Sequence, residues 1–240
     1  MIARQILPAH LYGHVVRLTR EPFVGKVDFG SLRRVKPVSK YWGFDRGKPV
    51  DRYYIEHVLS RHTSDIQGHV LEIGDNAYTL QFGRERVTKS DILHVAEGYP
   101  KATIVADLTQ ADHVPSDTFD CIICTQTLQL IYETTKAIRS LHRMLKPGGV
   151  LLLTIPGISQ ISRYDMDRWG DYWRFTRASA QRLFSEVFPK DSVRIETHGN
   201  VLAATAFLHG LSVEELTEEE LDYSDPDYEV TIAIRAMKPR

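Results

Sequence analysis

Cysteine is nearly absent from this chain: its 240 residues hold two, Cys121 and Cys124, too few for a disulfide framework. Their spacing is that of half a zinc or redox motif, but they lie in Phe119-Asp120-Cys121-Ile122-Ile123-Cys124, which reads as a buried strand. Residues three apart on a strand point to opposite faces, so two small core residues are expected there, not joint ligands. Long apolar runs are missing too. No stretch approaches the roughly 20 residues of a membrane span, and Pro8, His10 and His14 interrupt any apolar leader. A cytoplasmic protein without a membrane partner is expected. Net charge is only −1, which removes the global attraction that nucleic-acid binders use, and no basic stripe interleaved with aromatics appears. No nucleic-acid partner is expected. His10 and His14 straddle Gly13 with no third ligand at metal spacing, so no metal site is expected either.

Charge is present but segregated. Residues 1–40 carry eight Lys/Arg against two Asp/Glu, whereas 211–229 carry nine acids and no Lys/Arg. A solvated acidic face is the plain reading, and a docking surface the alternative.

From residue 69 onward, short β-rich runs alternate with helical patterns, as in parallel strands joined by crossovers. The expected strands are His69–Ile73, Arg86–Ser90, Thr103–Ala106, Cys121–Cys124 and Val150–Ile155, several of them continuously apolar as strands covered on both faces should be. Ile131, Thr134, Ile138, Leu141 and Leu145 recur at helical spacing before Lys146-Pro147-Gly148-Gly149 stops the helix. Thr176 is placed as the N-cap of a helix carrying Ala180, Leu183, Phe184 and Val187. Pro49-Val50-Asp51 opens another, with Ile55, Val58, Leu59, His62 and Ile66 on one face. Val201–Leu208 is expected to end at Gly210, followed by a capping box at Ser212–Glu215. Further strands are expected near Val193–Glu196 and at Tyr228–Met237. Residues 1–48 read as an N-terminal extension and lid, and 49–240 as the main domain.

Val70-Leu71-Glu72-Ile73-Gly74-Asp75-Asn76-Ala77-Tyr78 has the form of a strand ending in a turn that runs close to a ligand. Asp91 follows Glu72 by 19 residues, near the offset at which an acid accepts from ribose hydroxyls. A third strand ends in Ala106-Asp107-Leu108, a fourth in Thr125-Gln126-Thr127-Leu128-Gln129, and Lys146-Pro147-Gly148-Gly149 precedes a fifth. Taken in order, these motifs resemble the class I S-adenosylmethionine-dependent methyltransferases over about residues 70–155. Asn76 and Tyr78 depart from that family's glycine-rich turn. The resemblance implies a doubly wound, Rossmann-like α/β fold whose seven-stranded sheet takes its last strand antiparallel. It implies S-adenosylmethionine as cofactor, held by Tyr54, Glu72, Gly74, Asn76, Asp91, Ile92, Asp107, Leu108, Thr125 and Gln126. In this reading Asp91 holds the ribose, and Asp107 with the Leu108 backbone holds the adenine. Asp107 has an alternative as the cap of a turn. The 11 residues Ile92–Ala102 are short for a crossover helix, so a single turn or irregular loop is expected.

Two decoys fail. Tyr132 and Lys136 have the spacing of short-chain dehydrogenases, but the glycine-rich turn those enzymes need is absent. The acid-or-Asn, Pro-Pro, aromatic tetrapeptide of many base methylators is also missing after the fourth strand.

Ligands of open α/β sheets bind beyond the carboxyl ends of the strands, which directs attention to Arg163–Thr176. Its aromatic rings beside charged groups suit a polyhydroxylated or planar polar small molecule. Arg163, Tyr164, Trp169, Trp173 and Arg174 are the expected substrate contacts, although Trp169 and Trp173 equally suit a staple onto the next helix. Tyr41–Gly47 and Tyr53-Tyr54 would be placed like the family's N-terminal lid. Asp165, Asp171 and His198 are the candidate bases, with His94, His113 and His209 as alternatives. These segments resemble methyltransferase domains that accompany glycosyltransferases in bacterial pathways. The implied activity is O-methylation of a sugar or glycosylated metabolite; the alternative is a catalytically silent subunit of the same fold that binds a partner through its acidic tail. The oligomeric state is left open.

Overall fold

A computed structural model describes residues 21–240 of the chain. Pro8, His10 and His14, which carry the leader and metal readings, lie outside the described residues. The described residues divide into two units, one ending at Pro37 and the other Val38–Arg240. In the described part of the first, a single 3₁₀ turn spans Gly30–Leu32, and the Arg33 guanidinium lies 5.4 Å from the Phe29 ring centre.

The second unit is built on a seven-stranded sheet. In chain order its strands are β1 (Gly68–Ile73), β2 (Val87–His94), β3 (Ile104–Val105), β4 (Phe119–Thr125), β5 (Leu145–Pro156), β6 (Val193–His198) and β7 (Thr231–Met237). They lie in the order β3-β2-β1-β4-β5-β7-β6. The β3 to β5 side pairs in parallel, and β7 is inserted antiparallel between β5 and β6. This is the Rossmann-like methyltransferase sheet implied by the motif order.

The helices are α1 (Val50–Arg61), α2 (Thr134–Met144), α3 (Arg163–Met166), α4 (Arg177–Ser185), α5 (Val201–His209) and α6 (Glu218–Asp222). Strand alternation sorts the core by face. Leu71, Leu93, Ile122, Cys124, Leu151 and Ile234 pack with Ile138 and Leu141 of α2 and Phe184 of α4. Val70, Cys121, Ile123 and Leu152 pack with Ile55 and Leu59 of α1. The two cysteines therefore sit in different cores, both buried and both free. A third cluster joins Val50 and Tyr54 of α1 to Ala203 and Phe207 of α5 and Leu221 of α6.

Local chemistry sets the helix ends. Thr176 Oγ1 accepts from Ser179 N–H in a capping box, and Asn200 Oδ1 accepts from Leu202 and Ala203 N–H to start α5. Gly210, at φ 66°, ends α5 in the left-handed conformation that a side chain would disfavour. The Pro-Gly-Gly turn appears as a break in register. Phe119 pairs with Leu145 and the next pair is Cys121 with Val150, Gly148 between them taking φ +83°. The segment between β2 and β3 is irregular, as its shortness requires.

The difference from expectation that bears on the site is in β2. β2 continues through Asp91-Ile92-Leu93 to His94 instead of ending at Ser90. Leu93 is buried in the core and pairs with Ile73, and that packing carries the strand past the acid.

Candidate active site

The carboxyl ends of β3, β2, β1 and β4 lie side by side in that order, bringing four turns together. At β1, Gly74 donates its N–H to Leu93 O at 2.9 Å and takes φ +94°, the only positive φ in the turn 74–78. A Cβ built on Gly74 would meet nothing within 4 Å. Its left-handed backbone thus borders open space, where a ligand can approach the main chain. Tyr78, by contrast, has φ −72°, so this turn needs no second glycine there.

Glu72 holds that turn from below. Its carboxylate, 2% exposed, accepts from Tyr78 N–H (3.2 Å), Thr79 N–H (2.7 Å) and Thr79 Oγ1 (2.7 Å). Burial pushes its pKa up to about 7 against those hydrogen bonds. The expectation of a direct cofactor contact is corrected: Glu72 is spent on shaping the loop. Asn76 is likewise turned to the protein, its Nδ2 3.3 Å from Ser90 Oγ.

Asp91 is displaced from the edge altogether. It is paired with Leu71 in mid-strand and 7% exposed. His69 Nε2 lies 2.5 Å and Lys89 Nζ 3.1 Å from its carboxylate. Although burial opposes ionisation, hydrogen bonds from His69, Thr103 and Lys89 hold its pKa below the usual carboxylate value. It cannot serve as the ribose acid because three residues of strand separate it from the edge. Ile92 is also committed, its N–H to Thr103 Oγ1 at 2.9 Å and its carbonyl to Thr103 N–H at 3.0 Å. The residue at the end of β2 is His94, and the ring of Tyr99 stacks on it at 5.0 Å.

At the end of β3, Asp107 is exposed and caps its turn through Oδ1, which accepts from Thr109 N–H (2.8 Å) and Oγ1 (2.9 Å). Its Oδ2 and the Leu108 N–H have no hydrogen-bond partner among the described residues. That leaves one acceptor and one adjacent donor, the pair an adenine edge requires.

Beyond β4 and β5 lies a cavity of about 270 Å³, lined among others by Trp42, Phe44, Asp51, Gln126, Gln129 and Asp165. Thr125 ends β4. Gln126 takes φ +46°, rare for a side-chain-bearing residue, while its N–H donates to Thr154 O. Its Nε2 is buried without a partner, as is Gln129 Oε1, although Gln129 Nε2 donates to Gln126 O at 2.8 Å. A buried donor and a buried acceptor beside the cavity are thus without a partner among the described residues.

Asp51, in the first turn of α1, also lines this cavity. Burial raises its pKa against the adjacent Arg52 guanidinium and the N–H groups of the helix start, and no side chain pairs with it among the described residues. Arg52 donates instead to Tyr78 Oη at 3.0 Å, tying α1 to the β1 turn. Trp42 and Phe44 are placed by Gly43, where a Cβ would fall 2.7 Å from Leu211 O. The segment around residue 214 fixes this stretch further: Lys48 N–H donates to Glu214, Val213 N–H to Lys48 O, and Arg46 pairs with Glu215. Asp51 and Gln129 were missed from sequence, since an acid in a first helical turn already has an ordinary role.

Several expected contacts are corrected. Asp171, 9% exposed, receives Arg174 through both oxygens (2.6 and 3.0 Å) and Ser162 N–H at 2.9 Å. Burial notwithstanding, the Arg174 bonds hold its pKa below the usual value. Arg174 spends its remaining N–H groups on the carbonyls of Ser159, Gln160 and Trp173. The two form a clamp that shapes the cavity wall. Trp173 ties its loop to the segment before α2 and not to the next helix, its Nε1 on Ile131 O at 3.2 Å and its ring on Tyr132 at 5.5 Å. His198 stacks on Tyr54 at 5.6 Å, away from the cavity, and burial holds its pKa below the usual imidazole value. Tyr54 is 2% exposed and donates to Leu221 O at 3.0 Å, which makes it core and not lid. Arg163 is exposed at the start of α3 and does not line the cavity. Tyr164 and Asp165 do line it, Asp165 accepting from Ser162 Oγ at 2.5 Å. Trp169 reaches the other way, its ring edge-on to His94 at 6.3 Å.

Residues 32–206 match the family described as methyltransferase domain. The chain belongs to that family. S-adenosylmethionine is its cofactor, and the edge fits such a group: open main chain at Gly74 and a free acceptor and donor at Asp107 and Leu108. Among characterised relatives, the chain is similar to the ubiquinone/menaquinone biosynthesis C-methyltransferase UbiE of Pectobacterium carotovorum (32% identity over 132 residues, 53% of this chain and 50% of that protein). It is also similar to UbiE of Escherichia fergusonii (29% over 174 residues, 71% and 62%). The matches thus span only half to three-fifths of those relatives. Of solved structures, an S-adenosylmethionine-dependent methyltransferase from Archaeoglobus fulgidus aligns at TM-score 0.52 and 14% identity, covering 78% of this chain and 94% of that one. The [4+2]-cyclase SpnF aligns at 0.50 and 16%, covering 78% and 80%. At such identities the likeness concerns the fold, and SpnF illustrates that one fold hosts different reactions.

Among the described residues no helix is long and apolar enough to cross a membrane.

Proposed function

We propose that this methyltransferase modifies a hydroxyl of a small polar acceptor, a sugar or glycosylated metabolite, bound in the cavity beyond β4 and β5. The observation that carries this reading is the cavity's lining. Asp51 stands without a side-chain partner, and Gln126 and Gln129 present one donor and one acceptor that the protein leaves unpaired. A hydroxyl both donates and accepts, so a polyol satisfies both amides where an apolar ring would leave them buried and unpaired.

When bound, S-adenosylmethionine supplies an electrophilic sulfonium methyl. The chain's own work is alignment, exclusion of water and acceptance of a proton. Trp42, Phe44 and Tyr164 cover the acceptor, while the carboxamides of Gln126 and Gln129 orient it. Asp51 takes the hydroxyl proton; its raised pKa makes it a stronger base than an ordinary aspartate once ionised. Asp165, hydrogen-bonded to Ser162 Oγ, binds a second hydroxyl. We place this chemistry in the cytoplasm, acting on a small molecule and not on nucleic acid.

Carbon methylation is the second reading, favoured by the UbiE relatives, which are C-methyltransferases by name. The silent-subunit reading loses ground because four of the nine acids of its tail bind other parts of the chain: Glu214 and Glu215 hold residues 46–48, Asp222 accepts from Tyr53 Oη, and Glu229 accepts from Arg177 N–H. Incubation with ¹³C-methyl-labelled cofactor against sugars, glycosides, quinols and amines, followed by carbon NMR, separates these readings. Label on oxygen in a sugar or glycoside is the expected result. Label only on carbon establishes the second reading, and no cofactor binding at millimolar concentration overturns both.

A further inference from the structure

We infer that His94, flanked by Tyr99 and Trp169, grips the ribose of the cofactor at the end of β2. The inference rests on family membership and not on the identity of the acceptor. In the resembling motif an acid ends this strand, but here the acid, Asp91, lies three residues inside it and is bound to His69 and Lys89. His94 pairs with Val105 at the last register position of β2 and β3, next to the open main chain of Gly74, whose N–H reaches Leu93 O.

The imidazole is oriented by its own loop. Nδ1 lies 2.9 Å from Ala96 O and 3.1 Å from Ala96 N, so Nε2 is the nitrogen left for a ligand, with no hydrogen-bond partner among the described residues. Either tautomer serves, because a ribose hydroxyl can donate to an unprotonated Nε2 or accept from a protonated one. A carboxylate accepts from both ribose hydroxyls at once; a single imidazole nitrogen engages one. Aromatic packing supplies rigidity in exchange: Tyr99 stacks at 5.0 Å with a 22° interplanar angle, and Trp169 meets the ring edge-on at 6.3 Å and 84°.

Trp169 also links two sites. It lies four residues after Asp165, and its N–H donates to Asp165 O at 2.7 Å, so one short segment carries Asp165 to the acceptor cavity and Trp169 to His94. Ribose bound at Nε2 therefore changes the surroundings of an indole on the acceptor loop.

Calorimetric titration with S-adenosylhomocysteine tests this without any acceptor. His94→Ala is expected to weaken binding about tenfold, the loss of a hydrogen bond and its ring packing. His94→Gln is expected to recover part of that loss. Asp91→Asn, if circular dichroism shows it folded, is expected to stay within about threefold of wild type. In a Trp42→Phe, Trp173→Phe background, which keeps Trp169 as the sole indole, the ligand should change the fluorescence. Unaltered affinity in His94→Ala, or a folded Asp91→Asn as weak as His94→Ala, overturns the assignment. If wild type fails to bind S-adenosylhomocysteine, it is the cofactor reading that falls.

Discussion

Asp51 in the first turn of α1 and Asp171 in the segment before α4 border the same cavity, and the protein has prepared them for opposite tasks. Asp171 is met by both arms of Arg174 and by a backbone N–H, which favour its charged form and use its lone pairs. Asp51 is desolvated without a partner side chain, which disfavours its charged form and leaves its oxygens to whatever enters. Residue type and location are shared; pairing separates them. A group whose hydrogen bonds are completed by the protein maintains the site, and one whose bonds are left open is available for chemistry.

The largest effect that sharpens this contrast is at Asp51. Asp51→Asn is expected to lower turnover by about 10²–10⁴-fold, the usual contribution of a positioned base, while S-adenosylhomocysteine binds as in wild type. Because burial raises the Asp51 pKa, wild-type kcat should climb as pH rises through that raised value, and the variant should lose this limb. A variant with wild-type turnover and an unchanged pH profile would erase the distinction between the two carboxylates.

Glu72 extends the comparison to a buried acid that is hydrogen-bonded yet still desolvated. Its pKa rises from 4.5 to about 7 in the fold, so the unfolded chain ionises first. Between those values the folded state holds more protons, and stability falls as pH rises, by on the order of 3 kcal/mol across the window. Denaturant unfolding at pH 4.5 and 7.5 is expected to show a smaller drop in Glu72→Gln than in wild type. Equal drops in the two proteins would mean that Glu72 is ionised throughout.

Much of this fold is legible in the sequence because its signals are local or periodic. Thr176 is a capping residue in sequence and in space, Gly210 ends its helix, and the opposite facing of Cys121 and Cys124 follows from strand geometry. The site is less legible, for two physical reasons. The end of a strand depends on what its last residues pack against: Leu93, buried in the core, draws β2 past Asp91 and hands the edge to His94. Whether a polar group is free depends on partners far along the chain or hidden in turns. Arg163–Thr176 looks like a substrate loop by composition, but Asp171, Trp173 and Arg174 are consumed in building it; Tyr164 and Asp165 line the cavity beside the Asp171–Arg174 clamp, and Trp169 reaches His94. The same blindness hid Gln129, whose Oε1 is orphaned by the fold and not by its neighbours in sequence.

Asp171→Asn tests the other member of the pair. Losing the charge beside Arg174 is expected to reduce stability by about 2 kcal/mol, less than for a fully buried ion pair because the Arg174 side chain is a quarter exposed. The folded pKa of Asp171 is lowered, so its contribution is present above the ordinary aspartate value near pH 4 and disappears as pH falls through the folded value. Thermal melts at pH 7 should separate variant from wild type, with the gap closing towards pH 2. A gap that persists at pH 2 would show that the clamp works by shape and not by charge.

Tyr54 supplies the smallest effect and the closest control, because it lies one helical turn from Asp51 on α1. That turn takes the chain from the cavity wall to the core formed with α5 and α6, where the Tyr54 hydroxyl donates to Leu221 O. Tyr54→Phe keeps the ring and its stacking on His198 but strands one carbonyl, at a cost of about 1 kcal/mol. Its melting temperature should fall modestly, while affinity for S-adenosylhomocysteine and turnover stay at wild-type values. A large loss of cofactor affinity with little loss of stability would return Tyr54 to the lid, and would mean that α1 presents a broader face to the ligand than Asp51 and Arg52 alone.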